Sequence, residues 1–147
     1  MTSLYRSMFM AGLAIAVVCS ADHSAFDGTW KLNVAKSKFE SPAKKAHTIT
    51  IANGVATSDE MLGNGTQRRW SHKTADGEDT QITGIENARV SPKRIDSRTV
   101  THTWKMGTGT SSGRGVVSPD GKMMTYTLTG ISPEGKAFKD IMMFDKQ

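Results

Sequence analysis

Glycine-centred turn signals recur along this chain at intervals too short to leave room for long helices. They are Asn53-Gly54, Gly63-Asn64-Gly65, Asp76-Gly77, Asp120-Gly121 and Glu134-Gly135. Asn-Gly and Asp-Gly pairs suit hairpin turns, because both central residues of a type I′ turn need positive φ. The runs between them are β-branched and rich in Thr, as in His47-Thr48-Ile49-Thr50-Ile51, Thr99-Val100-Thr101-His102-Thr103-Trp104 and Met123-Met124-Thr125-Tyr126-Thr127-Leu128. Each alternates large apolar residues with Thr, the period of two of a half-buried strand. No long stretch shows the ~3.6-residue apolar period of an amphipathic helix. Asn33 to Ala46, with Ser37, Ser41 and Pro42, has room for one short helical turn. The spacing predicts an all-β fold of eight to ten antiparallel strands, a sandwich or barrel.

One local repeat is present. Ser118-Pro119-Asp120-Gly121-Lys122 returns fourteen residues later as Ser132-Pro133-Glu134-Gly135-Lys136. Each copy reads as a turn between strands, so the last third is expected to be a three-stranded meander. Gly107-Thr108-Gly109-Thr110, followed by Gly113 and Gly115, precedes no helix. It therefore lacks the context of a phosphate-binding loop and reads as a flexible hairpin loop.

The N-terminus has a different character. Arg6 precedes eleven uncharged residues, Met8 to Val18, and then Cys19-Ser20-Ala21. A positive charge, a short apolar run and small residues form the layout of a secretory signal peptide. Eleven apolar residues are too short to cross a ~30 Å hydrocarbon core, so no membrane span is expected. A lipid anchor at Cys19 is disfavoured, because Val18 stands where a bacterial lipobox takes Gly, Ala or Ser. The expected division is a signal peptide over residues 1–21, read as helical, and one β-domain over residues 22–147. Removing 21 of 147 residues leaves 126, with no Cys. A thiol-free domain fits an oxidising compartment, so the expected location is exported, periplasmic or secreted.

The net charge of +5 falls to +4 once Arg6 leaves with the signal. The basic residues lie singly or in pairs (Lys44-Lys45, Arg68-Arg69, Lys93-Arg94) and are not interleaved with aromatics. A mildly basic solvated surface is the expectation, with no nucleic-acid partner. The sequence sets no oligomeric state.

The start Phe26-Asp27-Gly28-Thr29-Trp30-Lys31-Leu32-Asn33, then Lys36-Ser37-Lys38-Phe39, resembles the Gly-x-Trp opening of the lipocalin and fatty-acid-binding (calycin) superfamily. It is similar in particular to small secreted bacterial lipocalin-like proteins. They share a segment like Lys93-Arg94-Ile95-Asp96, then Val116-Val117-Ser118-x-Asp120-Gly121-Lys122-x-Met124-Thr125, and a terminal Phe144-Asp145-Lys146. The resemblance implies an antiparallel up-and-down barrel in which Trp30 closes one end and Gly28 lets strand and loop approach. Two departures matter. Met142 and Phe144 stand where intracellular fatty-acid-binding proteins carry a basic residue and a Tyr for a lipid carboxylate. The last His is His102, so the late His through which nitrobindin-like barrels hold haem is missing.

Strand alternation assigns an interior. Val100, His102, Trp104 and Met106 share a face, as do Met124, Tyr126 and Leu128, and Arg68, Trp70 and His72. On the last strand Phe138, Asp140, Met142 and Phe144 oppose Lys139, Ile141 and Met143. The candidate cavity lining is therefore Trp70, His102, Trp104, Met124, Tyr126, Phe138, Asp140 and Met142. An inward Asp140 needs a partner, and Arg98, Arg114 or His102 are candidates. The sequence shows no catalytic set: there is no Gly-x-Ser-x-Gly elbow. The four His (His23, His47, His72, His102) lie 24, 25 and 30 apart, with no metal-ligand spacing. Neither metal nor cofactor is expected.

Three readings stay open. One is an exported lipocalin-like barrel binding a small hydrophobic molecule. Another is a protein-interaction or envelope-structural module with a filled core. The third is a barrel enzyme using a buried His and a carboxylate.

Overall fold

The computed structural model describes residues 24–107 and 109–147. The expected signal peptide, with Cys19, lies outside the described residues. Among them are ten strands: β1 (Gly28–Leu32), β2 (Lys44–Ala52), β3 (Val55–Leu62), β4 (Gln67–Lys73), β5 (Thr80–Gln81), β6 (Ala88–Asp96), β7 (Thr99–Met106), β8 (Gly109–Val117), β9 (Met123–Ile131) and β10 (Ala137–Lys146). One 3-10 turn, Val34–Lys36, lies between β1 and β2. The spatial order is β4-β3-β2-β1-β10-β9-β8-β7-β6-β5, with every ladder antiparallel. All neighbours are consecutive in sequence except β1 and β10. The sheet curls until its outer strands meet, where Ser71 of β4 and Thr83 just after β5 form one antiparallel bridge. The result is a nearly closed up-and-down barrel.

Turn chemistry explains the hairpins. Asn53 and Gly54 have φ of 52° and 75° and connect Ala52 to its partner Val55. They are the two left-handed residues of a type I′ turn. The Ser-Pro-Asp/Glu-Gly turns work differently. Only Gly121 and Gly135 take positive φ, and each donates its N–H to the carbonyl of the Ser that begins its turn, at 2.9 Å. Asp76-Gly77 is not a hairpin turn at all. It lies in the connection from β4 to β5 and is held against β6 by Gly77 N–H to Pro92 O at 2.7 Å.

The Gly-rich segment departs from the loop expected of it. Gly109, Gly113 and Gly115 lie within β8, and Gly113 and Gly115 are buried on its inner face. The reason is the ring of Tyr126 on β9, directly across the ladder. A Cβ at Gly113 would overlap the Tyr126 hydroxyl, and one at Gly115 would sit 3.3 Å from its Cδ2. These glycines make room for a neighbour; they do not loosen the chain.

Two apolar clusters hold the barrel. At one end Phe26, Trp30, Leu32, Val117, Met124, Met142 and Phe144 pack together. Trp30 is fully buried, and its indole N–H donates to Phe26 O at 2.8 Å. Lys146 Nζ lies 5.2 Å from the Trp30 ring centre. Gly28 has φ of 123°, a backbone conformation that favours glycine, and a Cβ there would meet only the flexible end of the Lys146 side chain, 2.8 Å from Cε. The second cluster is Trp70, Ile82, Ala88, Val90 and Trp104. Each fully buried apolar side chain contributes about 2 kcal/mol relative to exposure.

Candidate functional site: the barrel interior

Between the two clusters lies a cavity of about 590 Å³. Trp70, His102, Trp104, Met124, Tyr126, Phe138, Asp140 and Met142 all stand in its wall. Gly28 and Trp30 are not part of the wall. Trp30 belongs to the cluster at the end where β1 pairs with β2 and β10. Alternation places the wall residues, since inward positions on β7 and β9 recur every second residue.

The aromatic wall is continuous across β4, β7 and β9. Trp70 meets Trp104 edge to face at 5.5 Å between ring centres, and Trp104 stacks on His102 at 5.2 Å. His72 stacks on Trp70 at 6.0 Å and meets His102 edge to face at 5.8 Å. The Trp104 indole N–H donates to the Tyr126 hydroxyl at 2.8 Å. That hydroxyl lies 3.2 Å from His102 Nδ1. Burial, with His72 beside it, pushes the His102 pKa down to about 3, so the ring is neutral. Trp can only donate, and no other acceptor for the hydroxyl lies beside it among the described residues. Tyr126 therefore donates to Nδ1, and the His102 proton sits on Nε2. Burial raises the Tyr126 phenol above its ordinary range, which keeps it a donor.

Asp140 is buried, as its position between Phe138 and Met142 implies, but its partners are not those expected. Arg98, Arg114 and His102 do not bond it. Its Oδ1 accepts from the backbone N–H of Glu40 at 2.8 Å and of Ser41 at 3.0 Å. The Ser41 hydroxyl donates to Oδ2. The carboxylate thus pins the β1–β2 connection beside the cavity. His102 and Asp140 do not meet: His102 pairs with Tyr126, and Asp140 with the chain at 40–41.

A polar group not picked out from the sequence occupies the wall on β2, β3 and β4. Glu60 is fully buried in its side chain and is held from three sides. Trp70 Nε1 donates to its Oε1 at 3.0 Å, Arg68 Nε donates to the same oxygen, and Lys44 Nζ lies 2.8 Å from Oε2 as an ion pair outside hydrogen-bond alignment. Burial alone would raise the Glu60 pKa, but Lys44, His47 and Arg68 overcome it and hold it at about 2. His47 beside it is 5% exposed. Neither of its ring nitrogens has a hydrogen-bond partner among the described residues. Burial, then Lys44, brings its pKa down to about 3, so it too is neutral.

His47 was readable, because it shares a face with Ile49 and Ile51 in an alternating run. Glu60 was not. The inward residues of β3 include Ala56, Ser58 and Glu60, while Val55 points out, which inverts the usual apolar signal. Among the described residues no three His, Cys, Asp or Glu converge to hold a metal ion. No helix among them is long and apolar enough to cross a membrane.

No protein-family model matches the chain, and no curated protein matches it by sequence. Solved structures do. One is a fatty acid binding protein of Schistosoma mansoni in complex with arachidonic acid, with TM-score 0.53 and 16% identity, covering 84% of this chain and 97% of that one. Another is a variant of the fluorescent protein UnaG, with TM-score 0.54 and 13% identity, covering 84% of this chain and 96% of that one. At these identities the likeness is one of fold, and the fold is a fatty-acid-binding-protein-like barrel.

Proposed function

We propose that the chain is an exported bacterial lipocalin-like barrel, periplasmic or secreted, that binds a small hydrophobic molecule in its interior. The observation that carries the binding reading is the cavity of about 590 Å³ behind an aromatic and Met-lined wall. Ligand pockets run from roughly 300 to 1,000 Å³ and are mostly apolar with a few placed polar groups. A module with a filled core would leave no such space. The similar Schistosoma mansoni protein was solved with arachidonic acid. Export rests on the N-terminal pattern around Arg6, Met8–Val18 and Ala21.

The test of binding is titration with N-phenyl-1-naphthylamine, a neutral dye that brightens in apolar cavities. Saturable binding at one site is expected, together with a co-purified small molecule in native mass spectra of protein from its host's envelope. Absence of both sinks the reading. Export is tested by the intact mass of that same protein, which is expected to begin at Asp22. A cytoplasmic chain still carrying residues 1–21 would remove it.

A further inference from the structure

His72 and His102 are two imidazoles that the fold brings together while leaving one nitrogen of each without a partner. We propose that they form a two-coordinate site for copper(I), bound between their Nε2 atoms with Trp104 alongside. The inference goes beyond the reading of the chamber as a binder of hydrophobic molecules and does not depend on it.

The two rings come from β4 and β7, which are not neighbours in the sheet, and they meet across the interior on either side of the joint between β4 and β5. Each spends its Nδ1 on the protein. His72 Nδ1 lies 2.8 Å from Lys73 O. A carbonyl only accepts, so this nitrogen carries the proton and Nε2 keeps a free lone pair. His102 Nδ1 is held by the Tyr126 hydroxyl at 3.2 Å. Metal-bound imidazoles as a rule have their second nitrogen fixed by the protein in this way. Among the described residues neither Nε2 makes a hydrogen bond, and unlike the nitrogens of His47 neither is sealed from the cavity.

The spacing suits a shared ion. A metal–nitrogen bond of about 2.0 Å on each Nε2 sets two ring centres roughly 5–6 Å apart. Here they are 5.8 Å apart, with planes crossing at 78°. Trp104 lies 5.5 Å from His72 and 5.2 Å from His102. The median of that triangle brings a cation between the imidazoles to about 4.5 Å from the indole centre, inside the ~6 Å range of a cation–π contact.

Charge and ligand number select the ion. The ionised side chains of the wall are Lys44, Arg68 and Arg94 against Asp27, Glu60, Asp76 and Asp140, a formal excess of one negative charge. A monocation cancels it, whereas a dication on two neutral imidazoles leaves a positive charge in a poorly solvated place. Two nitrogens are also too few for zinc, whose protein sites use three or four ligands. Copper(I) is satisfied by two, and imidazole suits it. On binding, the His102 proton moves from Nε2 to Nδ1, and the Tyr126 hydroxyl turns to accept it. Tyr126 is thus a positioning residue.

The experiment uses the full chain with Cys19→Ser, which removes its one thiol. This protein is titrated anaerobically with copper(I) against the chelator bicinchoninate. One equivalent is expected to pass to the protein and to quench Trp emission. Because the ion ties β4 to β7 across the joint, hydrogen exchange at the amides of Ser71 and Thr83 should slow at least about tenfold. That readout needs no substitution at the site, so it stands whether or not a variant folds. His72→Phe and His102→Phe should each weaken binding more than about 100-fold, and Tyr126→Phe about tenfold, as for partners of metal ligands. Uptake that survives both His substitutions, or that leaves exchange at Ser71 and Thr83 unchanged, overturns the site. Zinc bound as tightly as copper(I) overturns the choice of ion. No uptake while N-phenyl-1-naphthylamine still binds removes the site and leaves the chamber. Uptake without dye binding does the reverse.

Discussion

The Trp104 indole donates its N–H to the Tyr126 hydroxyl at 2.8 Å, joining β7 to β9 across the intervening strand β8. The bond spans β8 because Gly113 and Gly115 present no side chain between the two rings. In turn the hydroxyl serves His102. Tyr126→Phe removes the acceptor for a buried indole N–H and the donor for a buried imidazole. It is expected to cost about 1–3 kcal/mol, read from urea unfolding. In a cycle with Trp104→Phe the two losses should couple. Strict additivity would mean that the bond contributes nothing.

Gly113→Ala forces a Cβ into the Tyr126 hydroxyl. The expected loss is about 1–3 kcal/mol, as for overpacking elsewhere in cores. In a Tyr126→Ala background the same substitution meets no ring, and its cost should shrink to a small fraction of that. A Gly113→Ala protein as stable as the natural one would place Tyr126 elsewhere.

Asp140 controls a specific stretch of backbone. Its Oδ1 accepts from Glu40 N–H and Ser41 N–H. Asp140→Ala removes charge-assisted bonds of about 2 kcal/mol. Hydrogen exchange at those two amides should accelerate roughly thirtyfold, by the conversion of energy to equilibrium constant. The ladder amides of β8 and β9 should keep their protection. Uniform loss across the barrel would instead make Asp140 a general stabilising residue with no special hold on that segment.

Acid should unfold this barrel from an unusually high pH. Burial holds His47 and His102 neutral down to about pH 3, whereas each has an ordinary value of 6.5 in the unfolded chain. Burial also lowers His72, partly offset by the bond of its Nδ1 with Lys73 O. Below pH 6.5 the unfolded chain therefore binds more protons than the folded one, and stability falls as pH falls. Each such His contributes a slope of up to about 1.4 kcal/mol per pH unit. From 4.5 downward Glu60 adds a loss of the same sign, since its folded value is held near 2. Urea midpoints should be flat between pH 8 and 7 and decline steeply from about 6 to 4. In His47→Phe the decline should be shallower by one proton. A midpoint unchanged down to pH 5 would mean that these rings are solvated.

The all-β character and the strand phases were legible because period-2 alternation and turn chemistry are local. Asn53-Gly54 announces its own hairpin, and Val100, His102, Trp104 and Met106 all face the cavity as their spacing implies. What stayed hidden depends on neighbours across the sheet. The glycines at 113 and 115 look like loop residues until Tyr126 is set opposite them. The partners of Asp140 are backbone amides about a hundred residues away, which no side-chain inventory lists. The corner at Glu60 is masked because its strand turns small and polar residues inward, so hydrophobicity points to the wrong face.

A hoop is only as strong as its least-stitched joint. Here that joint is the meeting of β4 with the segment after β5, where Ser71 and Thr83 exchange two hydrogen bonds of 2.9 and 2.8 Å. The other strand junctions among the described residues carry ladders. Parting this stitch frees two amides and two carbonyls and draws Trp70 of β4 away from Ile82, Ala88, Val90 and Trp104 in the second cluster, while the first cluster stays assembled. His72, Thr74 and Pro92 of the cavity wall lie along the same flank. Opening the barrel along this flank costs less than unfolding, because the first cluster and the other ladders are kept. The opening of this flank and the lifetime of the whole barrel are therefore set by different bonds.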